Sequence, residues 1–296
     1  MNINQFPWEV YPGLREVIYE EYDANSLIYP SVTVSQNTER YYEEENTEVG
    51  IGLFSETGDG EDYHEDTNFN GYYTRYNLAK YTSYFRVTED LMEFENYNTM
   101  GRRSRDMGNK ANVSQDTLVH LVYNNGFTTN MSDGVPLFST LHPGYPGSGQ
   151  TFSNVLAVQA SLSYTSFNSV LTAIKRQTDE RGTLIRMRPR KLVVAPENEL
   201  TAREILKSAG RPDTANRADN ELKGMASGIE IVVDEYLNSP SMWFILCDRF
   251  FVKSFTRKGL VTRTKDDPYT GDWLVFGKFH ISYGASHYLG TYAGSA

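Results

Sequence analysis

The stretch "TEDLMEFENYNTMGRRSRDMGNKANVSQDTLVHLVY", residues 88–123, decides the fold. Apolar or small residues recur at Leu91, Phe94, Tyr97, Met100, Ser104, Met107, Ala111, Ser114, Leu118 and Leu121, in steps of three and four that mark one face of a helix. Thr88 ahead of Glu89 and Asp90 makes a helix start, and Asn124-Asn125-Gly126 makes a stop. Such a helix of about 36 residues would be roughly 54 Å long, beyond what an ordinary globular domain uses.

Upstream, residues 1 to about 45 pass Pro7 and Pro12, a short amphipathic stretch "LREVIYEEYD" and an extended run "LIYPSVTVSQNTERYYEEE". That segment has too little contiguous apolar surface to fold alone and is expected to lie on something else. Residues 47–87 alternate β-prone aromatic and polar residues around the acidic turn "TGDGEDYHEDTN" and predict a long two-stranded hairpin. A hairpin alone is marginal in water and needs a partner surface.

Downstream, "SYTSFNSVLTAIKRQTDERG" predicts a second long helix with Thr165 or Ser166 as cap and Gly182 as stop. A buried β run follows at Leu192 to Ala195, then a helix from about Thr201. The remainder is strand signal separated by turns such as "NSP" and "DDPYTGD". The fold class is therefore α+β, with no internal repeat.

At 296 residues the chain can bury a large core without disulfides or metal. The single cysteine, Cys247, lies in "MWFILC" and reads as a small buried hydrophobe. Neither a secretory signal nor an apolar run of about 20 residues is evident, which predicts a soluble protein with no membrane partner. Charge is divided unevenly. Residues 1–70 hold sixteen Asp/Glu against two Arg, a net of −14 that leaves +4 for the rest of a chain whose total is −10. The acidic front is rich in Tyr, Phe, Ile and Val, which predicts a surface made to stick.

Candidate chemistry is weak. "GYPGSGQT", residues 144–151, imitates a phosphate loop, but Gln150 stands where the lysine belongs, so a glycine loop is expected. "GDGEDYHED" lacks the ordered offsets of a calcium loop and reads as a solvated hairpin tip. The five histidines have no metal-ligand spacing, and no cofactor is expected. In "DGVPLFSTLHPG", residues 133–144, Asp133 and His142 resemble an acid and base beside Ser139 and Thr140, yet no nucleophile elbow surrounds them. A structural reading serves better: Asp133-Gly134 makes a turn, Leu137 and Phe138 anchor the loop, and His142 satisfies backbone groups.

The order of segments, with "LVVAPENELTAREIL" at the centre of the mixed region, resembles the major capsid protein of tailed bacteriophages, the Hong Kong 97 type fold. "DGVPLFSTLHP" is similar to the "DG..LF...H" stretch of the phage Mu-like branch. The resemblance implies an amino-terminal arm at 1–46, an extended hairpin loop at 47–87 and a peripheral domain with the long spine helix at 88–182. An axial domain at 183–250 and returning strands at 251–296 complete the division. Arm and loop would reach across neighbours.

The implied function is a structural, non-enzymatic shell subunit that forms hexamers and pentamers around double-stranded DNA. It would meet portal, scaffold or decoration proteins, assemble in the host cytoplasm and reside in the virion. Scaffolding is expected from a separate protein or a removed segment. The hairpin tip has no lysine, so the isopeptide cross-link of some members is not expected, with Lys80 near the hairpin base. Phe54, Tyr72, Tyr73 and Phe85 are candidate apolar contacts between subunits. Arg102, Arg103 and Arg105 in "RRSR", with Arg188 and Arg190 in "RMRPRK", are candidate basic ones facing either neighbours or DNA. An encapsulin-like nanocompartment shell and a carbohydrate-active hydrolase using scattered carboxylates are the alternatives.

Overall fold

The computed structural model describes residues 6–94, 97–210 and 219–295. The chain opens with α1 (Phe6–Ala24), a single turn α2 (Tyr29–Val32) and β1 (Val34–Asn37). β2 (Tyr42–Val49), β3 (Phe69–Asn77) and β4 (Ala79–Val87) follow, then α3 (Glu89–Glu93) and α4 (Tyr97–Asn124). Two short strands, β5 (His142–Pro143) and β6 (Thr151–Phe152), precede α5 (Tyr164–Lys175) and β7 (Pro189–Val194). Next come α6 (Glu199–Lys207), α7 (Glu221–Met225), β8 (Glu230–Val233) and β9 (Trp243–Cys247). Two long strands, β10 (Val252–Asp266) and β11 (Trp273–Ala285), and β12 (Thr291–Ser295) end the chain.

The long helix is present but divided. Thr88 caps α3, its hydroxyl accepting Leu91 N, and Phe94 ends it with a non-helical backbone. Residues 95 and 96 of the expected continuous helix lie outside the described residues, as does the side chain of Tyr97. α4 has 28 residues, about 42 Å. Its buried face is Met100, Ser104, Ala111, Asn112, Gln115, Asp116, Val119, His120 and Tyr123, a strip of small and polar residues shifted from the expected one; Phe94 is 77% exposed.

The polar strip exists because α1 lies on it. Leu14 shares a cluster with Met100, and Ile18 one with Ala111. Asn112 Nδ2 donates to Tyr22 O at 2.6 Å and Asn25 O at 3.2 Å; Asp116 Oδ1 accepts Ile28 N and Tyr29 N at 3.0 and 2.8 Å. Tyr123 donates to Val32 O. The contacts advance together, so the two segments run parallel. Gly108 permits the approach, since a Cβ there would stand 2.4 Å from Ile18 O. The described first part of the amino-terminal segment is thus seated on its own chain. The physical reason is the stripe Leu14, Ile18, Tyr22 at i, i+4, i+8, which a complementary small-residue groove accepts.

α4 crosses one face of a four-stranded sheet of order β1-β10-β11-β4, parallel at β1/β10 and antiparallel elsewhere. Three successive clusters lie between them, centred on Trp273, Val275 and Phe279. The second sheet, β12-β9-β7-β8, is covered on both faces. Trp243, Ile245 and Cys247 of β9 point to α5, α6 and α7, while Phe244 and Leu246 pack with Tyr123, Leu137 and Phe138. Two buried faces explain why "MWFILC" is a continuous apolar run. Burial pushes the Cys247 thiol up to about 12, with Asp248 adding to it.

The expected hairpin is rearranged. β2 pairs with β3 alone, and the chain between them, residues 50–68, is nearly all exposed. β4 leaves the hairpin and pairs with β11, because Phe85 and Val87 can be buried there against Leu14, Met100 and Trp273. Lys80 therefore stands on that sheet beside His280. α5 is shorter than expected: Ser163 is its cap, forming a capping box with Ser166, and it ends at Lys175.

Candidate functional site

Two surfaces of opposite charge dominate the molecule. The first is the 50–68 loop, which carries Glu56, Asp59, Glu61, Asp62, Glu65 and Asp66 with no Lys or Arg. Phe54 and Tyr63 are each 97% exposed, and Ile51 and Leu53 are exposed as well. Tyr73 is exposed and Tyr72 half-buried on β3.

The second surface follows from the register of the four-stranded sheet. Burial alternates along β11: Trp273, Val275, Phe279 and Ile281 point at α4, so Leu274, Phe276, Lys278 and His280 point away. Cross-strand partners share a face. Lys258, His280 and Lys80 form one row; Arg263, Phe276 and Tyr84 another; Lys265, Leu274 and Arg86 a third; Lys278 lies opposite Thr82. β4 and β11 contain no carboxylate, and β10 only Asp266 at its last position. Of the cations named, Arg86 is neutralised, by Asp272 at 2.9 Å and Asp267 at 3.4 Å. Burial lowers the His280 pKa, and Lys278, Arg257, Lys80 and Lys258 lower it further, as expected inside a cationic field. Sequence reasoning missed this face because its cations are scattered from Lys80 to Lys278. The period-two cations of "RTK" and "KFH" are the signal that marks it.

The basic residues singled out from sequence lie elsewhere. Arg102, Arg103 and Arg105 are exposed on α4, with Arg103 Nη1 donating to Arg86 O at 2.9 Å. Arg188 and Arg190 are exposed at the start of β7, where Asp248 accepts Arg188 N at 3.1 Å. Phe85, expected at a subunit contact, is half-buried in its own chain's core between α1, α4 and β11.

The structure brings Asp133, Gly134, Phe138 and His142 together. Asp133 Oδ1 accepts Val135 N at 3.1 Å, and Gly134 has φ +88°. His142 is fully buried; its Nδ1 faces Asp133 Oδ2 at 2.7 Å, its Nε2 faces Leu137 O and Asn154 Oδ1 at 3.2 Å, and its ring stacks on Tyr288 at 4.2 Å. Ser139 Oγ accepts Leu141 N instead of meeting the imidazole. Asn154, which sequence reasoning missed, is the hub: its Oδ1 accepts Ser139 N at 3.0 Å and its Nδ2 donates to Leu137 O at 2.6 Å and Thr291 O at 3.1 Å. Phe138 packs on Phe127 and Phe244. The phosphate-loop mimic is the connection between β5 and β6, with Gly147 and Gly149 at φ +88° and +66°. Among the described residues, no group of three or more His, Cys, Asp or Glu is placed to hold a metal ion.

A sequence model of a phage capsid protein family matches residues 71–293. The chain belongs to that family. It is a capsid shell protein, and its α+β architecture is the Hong Kong 97-like fold. Solved structures agree on the fold. The capsid of cyanophage P-SCSP1u is matched at 12% identity and TM-score 0.58, over 92% of this chain and 88% of that one. The capsid of Ralstonia phage GP4 is matched at 13% and 0.57, over 90% and 87%. A virus-like particle from Pyrococcus furiosus is matched at 10% and 0.55, over 95% and 97%. The match to the bacteriophage JBD30 capsid, at 12% and 0.52, covers 91% of this chain but 65% of that protein. No curated protein matches by sequence. As a capsid family member the chain is a virion component, and among the described residues no helix is long and apolar enough to cross a membrane.

Proposed function

We propose that this capsid protein is the major head subunit of a tailed phage of the Mu-like branch. Copies associate as hexamers and pentamers into an icosahedral shell around double-stranded DNA. The observation that carries the reading is the pairing, within one chain, of an acid-rich exposed loop bearing Phe54 and Tyr63 with an acid-poor cationic sheet face bearing Tyr84 and Phe276. Apart from Asp66, held by Arg181, and Arg86, held by Asp272 and Asp267, no ion pair neutralises the named charges of either surface among the described residues. The loop of one subunit lies on the sheet face of another, with charge setting orientation and association rate and the aromatic contacts giving persistence.

The division into arm 1–46, extended loop 47–87, peripheral domain 88–182, axial domain 183–250 and returning strands 251–296 belongs to the same reading. Asp133, Gly134, Phe138 and His142 act as architecture, and the protein turns over no substrate. Portal, scaffold or decoration proteins complete the particle, which is assembled in the host cytoplasm. Arg102, Arg103 and Arg105 are left to face neighbours or the genome.

Electron microscopy of the void-volume fraction of purified protein tests the shell. Closed particles are expected, and a small oligomer only would overturn the reading; a packaged enzyme in place of DNA would favour a nanocompartment shell. For the contact, shell assembly is measured against ionic strength for wild type, Lys80→Glu/Lys258→Glu/Lys278→Glu and Arg102→Ser/Arg103→Ser. The sheet-face variant is expected to lose assembly. If only the arginine pair matters, the receiving surface is α4; if empty shells form normally and only DNA retention falls, the sheet faces the genome.

A further inference from the structure

The geometry assigns to Arg181 the task of aiming the acidic loop, through a bracket formed by the turn 179–183. This rests on the reading of that loop as an assembly element. Asp66 ties the loop's two stems together, its Oδ2 accepting Gly52 N, while its Oδ1 accepts Arg181 Nη1 at 2.7 Å. Arg181 also donates to Thr67 O, and its guanidinium lies 5.2 Å from the Phe69 ring centroid. Phe69 in turn stacks on Tyr145 of the β5–β6 connection, with centroids 4.7 Å apart and planes 9° from parallel. Beyond this clasp, residues 53–65 touch almost nothing of their own chain.

The other side of the bracket reaches the core. Asp179 Oδ1 accepts both Arg181 N at 3.0 Å and Thr183 N at 2.6 Å, and Gly182 supplies the φ of +81° that closes the turn. Glu180 accepts from His287 Nε2 at 2.6 Å; His287 stacks on Tyr288, which stacks on His142, which meets Asp133. Consecutive residues 180 and 181 thus face opposite ways, one into a buried stack and one onto the loop. A planar, bidentate guanidinium suits this duty where an ammonium does not. The buried Asp133–His142 loop therefore has a purpose beyond filling the core: it gives the acidic loop a rigid seat.

The test places spin labels at Glu61→Cys and Thr117→Cys, leaving buried Cys247 in place, and reads the distance distribution in free subunits and in shells doped sparsely with labelled copies. A narrow distribution is expected in wild type, and at least about a twofold broadening in Arg181→Ala and Arg181→Lys. Particle yield is expected to fall with the broadening. A distribution equally narrow in Arg181→Ala overturns the assignment. If Arg181→Ala does not fold, Asp66→Asn reads the same contact. Absence of particles from the wild type would sink the shell reading while leaving the free-subunit distances to decide the bracket.

Discussion

Residues 50–68 and residues 125–141 are connections of nearly equal length with opposite fates. The first has nothing beneath it but the clasp at its stems, although it contains Ile51, Leu53, Phe54 and Tyr63. The second is sewn into the core by Leu137 and Phe138, by the backbone bond from Phe138 N to Gly126 O at 2.8 Å, and by His142 and Asn154 just beyond it. Apolar content alone does not fold a loop. The carboxylates of the first cannot be buried without counter-charge, whereas the second carries a single carboxylate, Asp133, which meets His142.

The largest effect comes from breaking the sewn loop at its hub. Asn154→Ala strands Ser139 N and several carbonyls in a dry site, and a loss of about 3 kcal/mol is expected in urea melts. His142→Ala follows at about 2 kcal/mol, from the lost stack on Tyr288 and an unpaired Asp133; unfolding equilibria should place it below Asn154→Ala, with no catalytic turnover lost.

A smaller, pH-dependent effect concerns the joint between α4, α2 and β8. His120 lies 3.0 Å from Asp234. Burial alone lowers its pKa, but Asp234 and Asp116 outweigh that and hold it above the ordinary value of 6.5. A raised folded value means that this group's stabilisation is complete below about pH 6.5 and is lost as pH rises through the folded pKa. Wild type should therefore lose stability relative to His120→Gln as pH rises above about 6.5 through the folded pKa, measured by urea midpoints; parallel profiles would contradict it. The smallest stability effect belongs to the acidic loop. Replacing residues 53–65 by a short Gly-Ser linker should change stability by less than about 0.5 kcal/mol while abolishing shells, scored by melting and by electron microscopy on one sample.

Sequence periodicity carried the existence of the long helix α4, because steps of three and four need only local spacing, but neither the break at Phe94 nor the buried face, which α1 shifted to Ser104, Ala111, Asn112 and Asp116. Charge counting carried the acidic front, and turn chemistry carried the loop at Asp133-Gly134, where local residues suffice to bend the chain. Other features depended on contacts distant in sequence. β4 left its expected hairpin for β11 because Phe85 and Val87 find apolar partners there. α1 settled on α4 because Gly108 lies where a helix must approach. The cationic face exists only once β10, β11 and β4 are in register, since Lys258, His280 and Lys80 are neighbours through hydrogen-bonded strands and not through the chain. Local sequence fixes what each segment can become; which face meets which partner is settled by burial across the whole fold, and that is where the assembly surfaces arise.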